Sequence, residues 1–212
     1  MSPTRAEQKA ATRDAIASVA RERFAEVGFE STTIRDIASR AGVSVGSVHV
    51  HFRDKRALLF ACFYDNIARA VAHGWETLDR TAPLVDQLVH LSHALFESYA
   101  THPELSRVMF KESVFREPGD ARDEALEPFL ARVSQLFVDA KARGEIGQLP
   151  GEGRREAEVF FSIYMSALIG GLNEHFGPIE SPSAAADLWS AQVRVLMGVV
   201  VSGLGTPIHS AP

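Results

Sequence analysis

A chain of 212 residues, 46% of them hydrophobic, with a formal net charge of −5, can bury the cores of two small domains. A single cysteine excludes a disulfide framework, no secretory signal is visible, and no apolar run reaches the roughly 18 residues of a membrane span, so the expected location is cytoplasmic with no membrane partner. The charge is uneven: residues 1–56 carry ten Lys/Arg against seven Asp/Glu and residues 57–212 twelve against twenty, which gives an acidic chain a basic end.

The first expected element is a long helix. Thr4 with Glu7 makes a possible capping box, and Ile16, Val19, Ala20, Phe24 and Val27 form an apolar stripe that Gly28 stops. Ser2, Thr4, Arg5 and Lys9 at its start can touch phosphates or simply fray.

Two short helices follow within about twenty residues of sequence. Thr33 caps the first, with Asp36 as the reciprocal partner of a capping box, and Ile34, Ile37, Ala38 and Ala41 share one face. Gly42 supplies the positive backbone angle of a helix stop, and Ser44 caps the second. Two helices joined by so short a turn make a helix-turn-helix, whose second helix lies in the DNA major groove.

A helical wheel assigns that second helix its faces. With Val48 inward, Phe52 and Ser44 lie about 40° to either side, at about 100° per residue. Gly46 and Val50 then point away from the interior, with Ser47 and His49 on the flanks. A solvated face normally carries Lys and Glu; Gly, Val, Ser and His suit a groove. Gly46 permits close backbone approach, Val50 suits a thymine methyl, and Ser47 and His49 can bond base edges or phosphates. Lys55 follows Asp54, the expected cap of the next helix. A lysine there opposes the helix dipole unless a phosphate lies beside it. Two histidines beside phosphates would also tighten binding as pH falls, unless both act only as neutral donors.

Residues 12–63 resemble the N-terminal domain of the TetR family of one-component regulators. The pattern is matched at Phe24, Gly28, Thr33, Ile37, Ala38, Ala41, Gly42, Val43, Ser44, Gly46, His51, Phe52, Lys55 and Leu58. The resemblance implies a dimeric, all-helical repressor with a ligand-binding C-terminal domain, and phosphate contacts at the Thr33, His51 and Lys55 positions. Two departures stand out: His49 replaces the family's usual tyrosine, and Val45 a frequent polar or basic residue. The DNA-contacting set is therefore expected to be Thr33, Ser44, Val45, Gly46, Ser47, His49, Val50, His51 and Lys55, and the partner double-stranded DNA.

Beyond Lys55 the chain reads as helices throughout. Leu59, Phe63, Ile67, Ala70 and Val71 make the stripe of a helix linking two domains, and Leu84, Leu88, Leu91, Leu95 and Tyr99 that of the next, which ends at His102-Pro103. A shorter helix is expected from Pro103 through Phe115, broken by Glu117-Pro118-Gly119, and another from about Asp120 to Arg143 with Gly144 as its stop. Two long helices, near 154–176 and 183–204, carry apolar residues on more than one face. The second cover is most simply a partner subunit, with Ala167, Gly170, Gly171, Trp189, Val195 and Gly198 as the expected homodimer interface.

The fold expected is all-α with about nine helices. A three-helix helix-turn-helix DNA-binding domain occupies 1–56, a helical ligand-binding and dimerisation domain 57–204, and a loose tail 205–212. A small, apolar or aromatic effector would sit among Phe96, Tyr99, Met109, Phe110, Phe129, Phe160 and Tyr164, although such residues also serve as core. Asp86, His90, His93 and Glu97 line one helix face at metal-ligand spacing, but opposite the leucine stripe, where water is the expected partner. Neither cofactor nor metal is expected, and no nucleophile motif or phosphate-cradling loop marks an enzyme. The alternatives are a helical ligand-binding or enzymatic protein that keeps the motif as scaffold, and a transcriptional activator.

Overall fold

The structure, a computed structural model, describes residues 4–113 and 122–205, and within them it is helical with nine helices and no strand. In chain order these are α1 (Arg5–Val27), α2 (Ile34–Arg40), α3 (Val45–His51), α4 (Lys55–Glu76), α5 (Leu84–Ala100), α6 (Pro103–Ser113), α7 (Arg122–Ala142), α8 (Arg154–Leu172) and α9 (Pro182–Leu204). The expected helix end at Phe115, the breaker Glu117-Pro118-Gly119, the start at Asp120, Ser2 and the tail beyond residue 205 lie outside the described residues.

The chain forms two compact units, and their division departs from the expected boundary at residue 56. The first runs to Arg69, more than half-way along α4, and takes in α6; the second begins at Ala70. A helix-turn-helix alone is a thin layer. The first turns of α4 supply its floor, with Leu58, Leu59, Cys62 and Phe63 all buried.

In the first unit Ile16, Ala17, Ala20 and Phe24 of α1 are buried, whereas Val27 is 40% exposed and does not extend the stripe as expected. Thr4 and Glu7 close their capping box, and Gly28 ends the helix at φ 84°. Cys62 Sγ donates to the Ala17 carbonyl at 3.1 Å, and burial pushes its thiol up to about 12. That is an inert core thiol.

In the second unit α5 packs along α9, and α8 against α7 and α9. Proline at the N-cap of α5 offers no side-chain acceptor; Glu145, beyond α7, fills the gap by accepting the Leu84 N–H at 2.5 Å. The Leu204 carbonyl at the end of α9 accepts the Gly147 and Gln148 N–H groups at 3.1 and 2.9 Å. By length and composition α9 would suffice to cross a membrane, yet Trp189, Val193 and Met197 give it a core-facing side.

Candidate nucleic-acid interface

The geometry of α2 and α3 follows from their caps. The Thr33 hydroxyl accepts the Asp36 N–H at 3.1 Å, but the reciprocal half of the expected capping box is absent. The Asp36 carboxylate is drawn away by Arg23, whose Nε donates to it at 2.6 Å. Gly42 adopts φ 67° and the Val43 N–H reaches back to the Ala38 carbonyl at 3.0 Å, a Schellman stop. Ser44 Oγ accepts the Ser47 N–H at 3.0 Å and starts α3.

The expected faces of α3 are the observed ones. Val48 is fully buried and Phe52 is buried beside it, with the Arg13 guanidinium 5.1 Å above the Phe52 ring centre. Val50 is 71% exposed, Val45, Gly46 and His49 are exposed, and Ser47 and His51 are half-buried. A Cβ at Gly46 would meet nothing nearer than Ser44 Oγ at 3.7 Å, so the backbone there can be approached closely. His49 Nδ1 lies 3.3 Å from the Arg53 carbonyl, which leaves the far edge of the ring outward. Thr33 and Ser44 are exposed at the helix starts, their hydroxyls engaged as caps.

Lys55 requires a different account from the one the sequence suggests. Its Nζ donates to the carbonyls of Phe29, Glu30 and Thr32 at 2.8, 3.2 and 3.1 Å and lies 4.3 Å above the Phe29 ring centre. An ammonium has three donors, so this one is fully engaged without a phosphate. The carbonyls also offset the dipole penalty at the start of α4. Lys55 ties the turn between α1 and α2 to α4, a role hidden in sequence because its partners lie 23 to 26 residues away. Asp54 caps α4 as expected, accepting the Ala57 N–H at 2.7 Å; that bond foremost, then Arg53, holds its carboxyl below the ordinary range.

The expected homodimer residues divide. Ala167, Gly170, Gly171 and Trp189 are buried inside the second unit. A Cβ at Gly171 would penetrate the Trp189 ring, and one at Gly170 would come within 2.7 Å of Phe176. These small residues admit aromatic rings of the same chain, which spacing cannot distinguish from close approach of a second one. Val195, by contrast, is 66% exposed, and nothing lies within 4 Å of a Cβ at Gly198. Val159 and Ile169 of α8 and Leu196 and Val199 of α9 are also exposed. A groove of about 440 Å³ runs among Val159, Ser162, Ile163, Ser166 and Leu196, with Arg155 and Glu158 at one end.

Of the expected effector residues, Phe96, Tyr99, Phe160 and Tyr164 form one buried cluster in the second unit. Phe96 stacks on Tyr164 at 5.0 Å and meets Trp189 edge-on at 5.7 Å. Burial foremost, then the neighbouring Tyr99, holds the Tyr164 phenol well above its ordinary pKa and keeps it neutral. Phe129 is half-buried against Trp75, while Met109 and Phe110 stand on α6 in the first unit. None of the seven lines the 440 Å³ groove. The Asp86, His90, His93 and Glu97 face is not merely wet: His90 pairs with Thr77 at 3.0 Å, His93 with Asp187 at 3.0 Å, and Asp86 with Arg194. Among the described residues no three His, Cys, Asp or Glu side chains gather closely enough to hold a metal.

Comparison with known proteins agrees with this geometry. Residues 16–62 match the family model described as bacterial regulatory proteins, tetR family. The HTH-type transcriptional repressor KstR2 of Mycolicibacterium smegmatis is 29% identical over 68% of this chain and 70% of its own. The HTH-type transcriptional regulator UidR of Escherichia coli K12 is 28% identical over 64% and 69%. Among solved structures, Thermus thermophilus FadR, a TetR family repressor in complex with lauroyl-CoA, superposes with a TM-score of 0.69 at 23% identity. The match covers 94% of this chain and 98% of that one.

Proposed function

Because the chain belongs to the TetR family of bacterial regulatory proteins, we propose that it is a ligand-responsive repressor. A homodimer binds a palindromic operator in the cytoplasm and leaves it when a small, apolar or aromatic effector binds. That it is a DNA-binding transcriptional regulator and not an enzyme follows from the family. The observation that carries the reading is the division of α3: Val48 and Phe52 hold the helix from behind while Gly46, His49 and Val50 stand free.

The outer face of α8 and α9 supports the dimer. Val159, Ser162, Ile163, Ser166 and Ile169 recur at helical spacing along α8 beside Val195, Leu196 and Val199 of α9. Two such faces related by a two-fold axis would cover one another. A dimer sets two recognition helices about one helical turn of DNA apart, some 34 Å, as a palindrome requires.

The aromatic cluster of the second unit supports the effector reading. Trp189 Nε1 of that cluster and Ser190 Oγ, on the next residue of α9, are buried without a protein partner, at a cost of about 1–3 kcal/mol for each such group. An apolar ligand bearing a hydrogen-bond acceptor would engage the Trp189 N–H. Lauroyl-CoA, bound by Thermus thermophilus FadR, is a natural first compound to test. Release follows if the effector favours the dimer conformation whose recognition helices no longer match successive grooves.

The test is a gel shift with DNA from the chain's own upstream region. Specific retention that weakens with salt, and is lost on adding effector, is the expected result. Retention of every sequence alike would exclude an operator, and tighter retention with effector would make the protein a co-repressor-dependent regulator or an activator.

A further inference from the structure

Val50 is the most exposed large apolar side chain in the described residues, at 71%, and it stands on the helix that meets DNA. The other two valines of similar exposure, Val195 and Val199, belong to the apolar outer face of α9. Val50 has no such surroundings. Its neighbours on the outward side of α3 are Gly46, Ser47 and His49, with Val45 a turn earlier.

The composition of that face decides what it can read. Bidentate recognition of guanine needs Arg or Lys, and of adenine Asn or Gln; Val45–His51 contains none of the four. The only apolar feature that the major groove presents is the C5-methyl group of thymine. Val50 projects an isopropyl group from the most outward position of the helix, with a Cβ branch that restricts its rotamers and so loses little freedom on contact. Gly46, one turn before it, lacks a side chain that would hold the helix back from the groove.

We propose that Val50 is a specificity-determining residue that reads a thymine by apolar contact with its C5-methyl, so that the operator carries a required thymine in each half facing α3. This rests on α3 being the base-reading helix. Methyl-to-isopropyl burial of this size corresponds to about a three- to fivefold change in affinity per contact.

Replacing thymine by deoxyuridine tests it, because that exchange removes the methyl and leaves every hydrogen-bonding group in place. Duplexes enriched by the 212-residue protein from a random library are resynthesised with one thymine at a time changed to deoxyuridine. Wild type is expected to lose about three- to fivefold at one thymine per half-site. Val50→Ala, a substitution at an exposed position that leaves the fold intact, binds the thymine duplex about that much more weakly and is indifferent to the same exchange. If no position is methyl-sensitive, or if Val50→Ala keeps the same sensitivity, Val50 does not read a methyl, although the protein still binds its operator. If no sequence is enriched at all, the assignment of α3 as the base-reading helix fails, and the role of Val50 with it.

Discussion

Val50 of α3 and Val195 and Val199 of α9 are almost equally bare, yet they belong to opposite kinds of helix. At seven residues α3 is far below the length at which a helix holds itself in water, so it depends on the Ser44 cap and on Val48 and Phe52 behind it. Gly46, His49 and Val50 lie outside the core, and in the proposed function that face meets DNA. The 23-residue α9 buries Ala185, Ala186, Trp189, Val193 and Met197 on one side and still carries Val195, Leu196 and Val199 on the other. Exposure alone does not name a partner; the neighbours do. Val50 stands beside Ser, His and Gly, which suit base edges, whereas Val195 and Val199 continue an apolar surface that suits a second copy of itself.

The strongest way to break this contrast is to charge the α9 face. Val195→Asp with Val199→Asp is expected to weaken dimerisation at least about a hundredfold, near 3 kcal/mol, because each carboxylate would be buried without a partner. Sedimentation equilibrium reads the result, and unchanged helicity would show the subunit still folded. A dimer of undiminished affinity would place the interface elsewhere. Glycine positions sharpen the same point. Gly171→Ala should cost about 3 kcal/mol in urea unfolding, since its Cβ overlaps the Trp189 ring, whereas Gly198→Ala, in open space within α9, should raise subunit stability by about 0.5–1 kcal/mol, the ordinary gain of alanine over glycine in a helix.

The sequence was most informative where structure is local. Thr33, Gly42, Ser44 and Asp54 each act within a few residues of themselves, and the inward pair Val48 and Phe52 follows from helical period alone. It was least informative where partners are remote in sequence. Gly170 and Gly171 look the same whether their close neighbour is Phe176, Trp189 or another subunit, and the Glu145 cap on Leu84 crosses 61 residues. Lys55 combines both situations. Its place after a helix cap is plain, but its three carbonyl partners are not.

Lys55 therefore offers the next test, smaller in effect. Lys55→Gln should lower stability by about 2 kcal/mol through loss of charge-assisted hydrogen bonds to the turn before α2. Operator affinity should fall for all sequences alike, with the slope of log K against log salt unchanged. A phosphate contact would instead reduce that slope by about 0.9. Ser44→Ala follows, expected to cost about 1 kcal/mol for the loss of an N-cap on a helix with little else to start it.

The smallest expected effect tests whether α4 depends on its cap as α3 does. The Asp54 carboxyl is held below its ordinary pKa chiefly by the Ala57 N–H. A depressed folded pKa means that the charged form stabilises the native state above the unfolded value, near pH 4, and that the contribution disappears as pH falls through the lower folded value. Solvent and salt screen a carboxylate so exposed, so the contribution is about a few tenths of a kcal/mol. Asparagine can still accept the Ala57 N–H but does not titrate. Wild type and Asp54→Asn should accordingly differ in urea midpoint at pH 6, with wild type the more stable, and converge as pH falls through the lowered folded value. A difference that persisted undiminished into acid would mean that the carboxylate's charge contributes nothing, and that α4, far longer than α3, is held by packing alone.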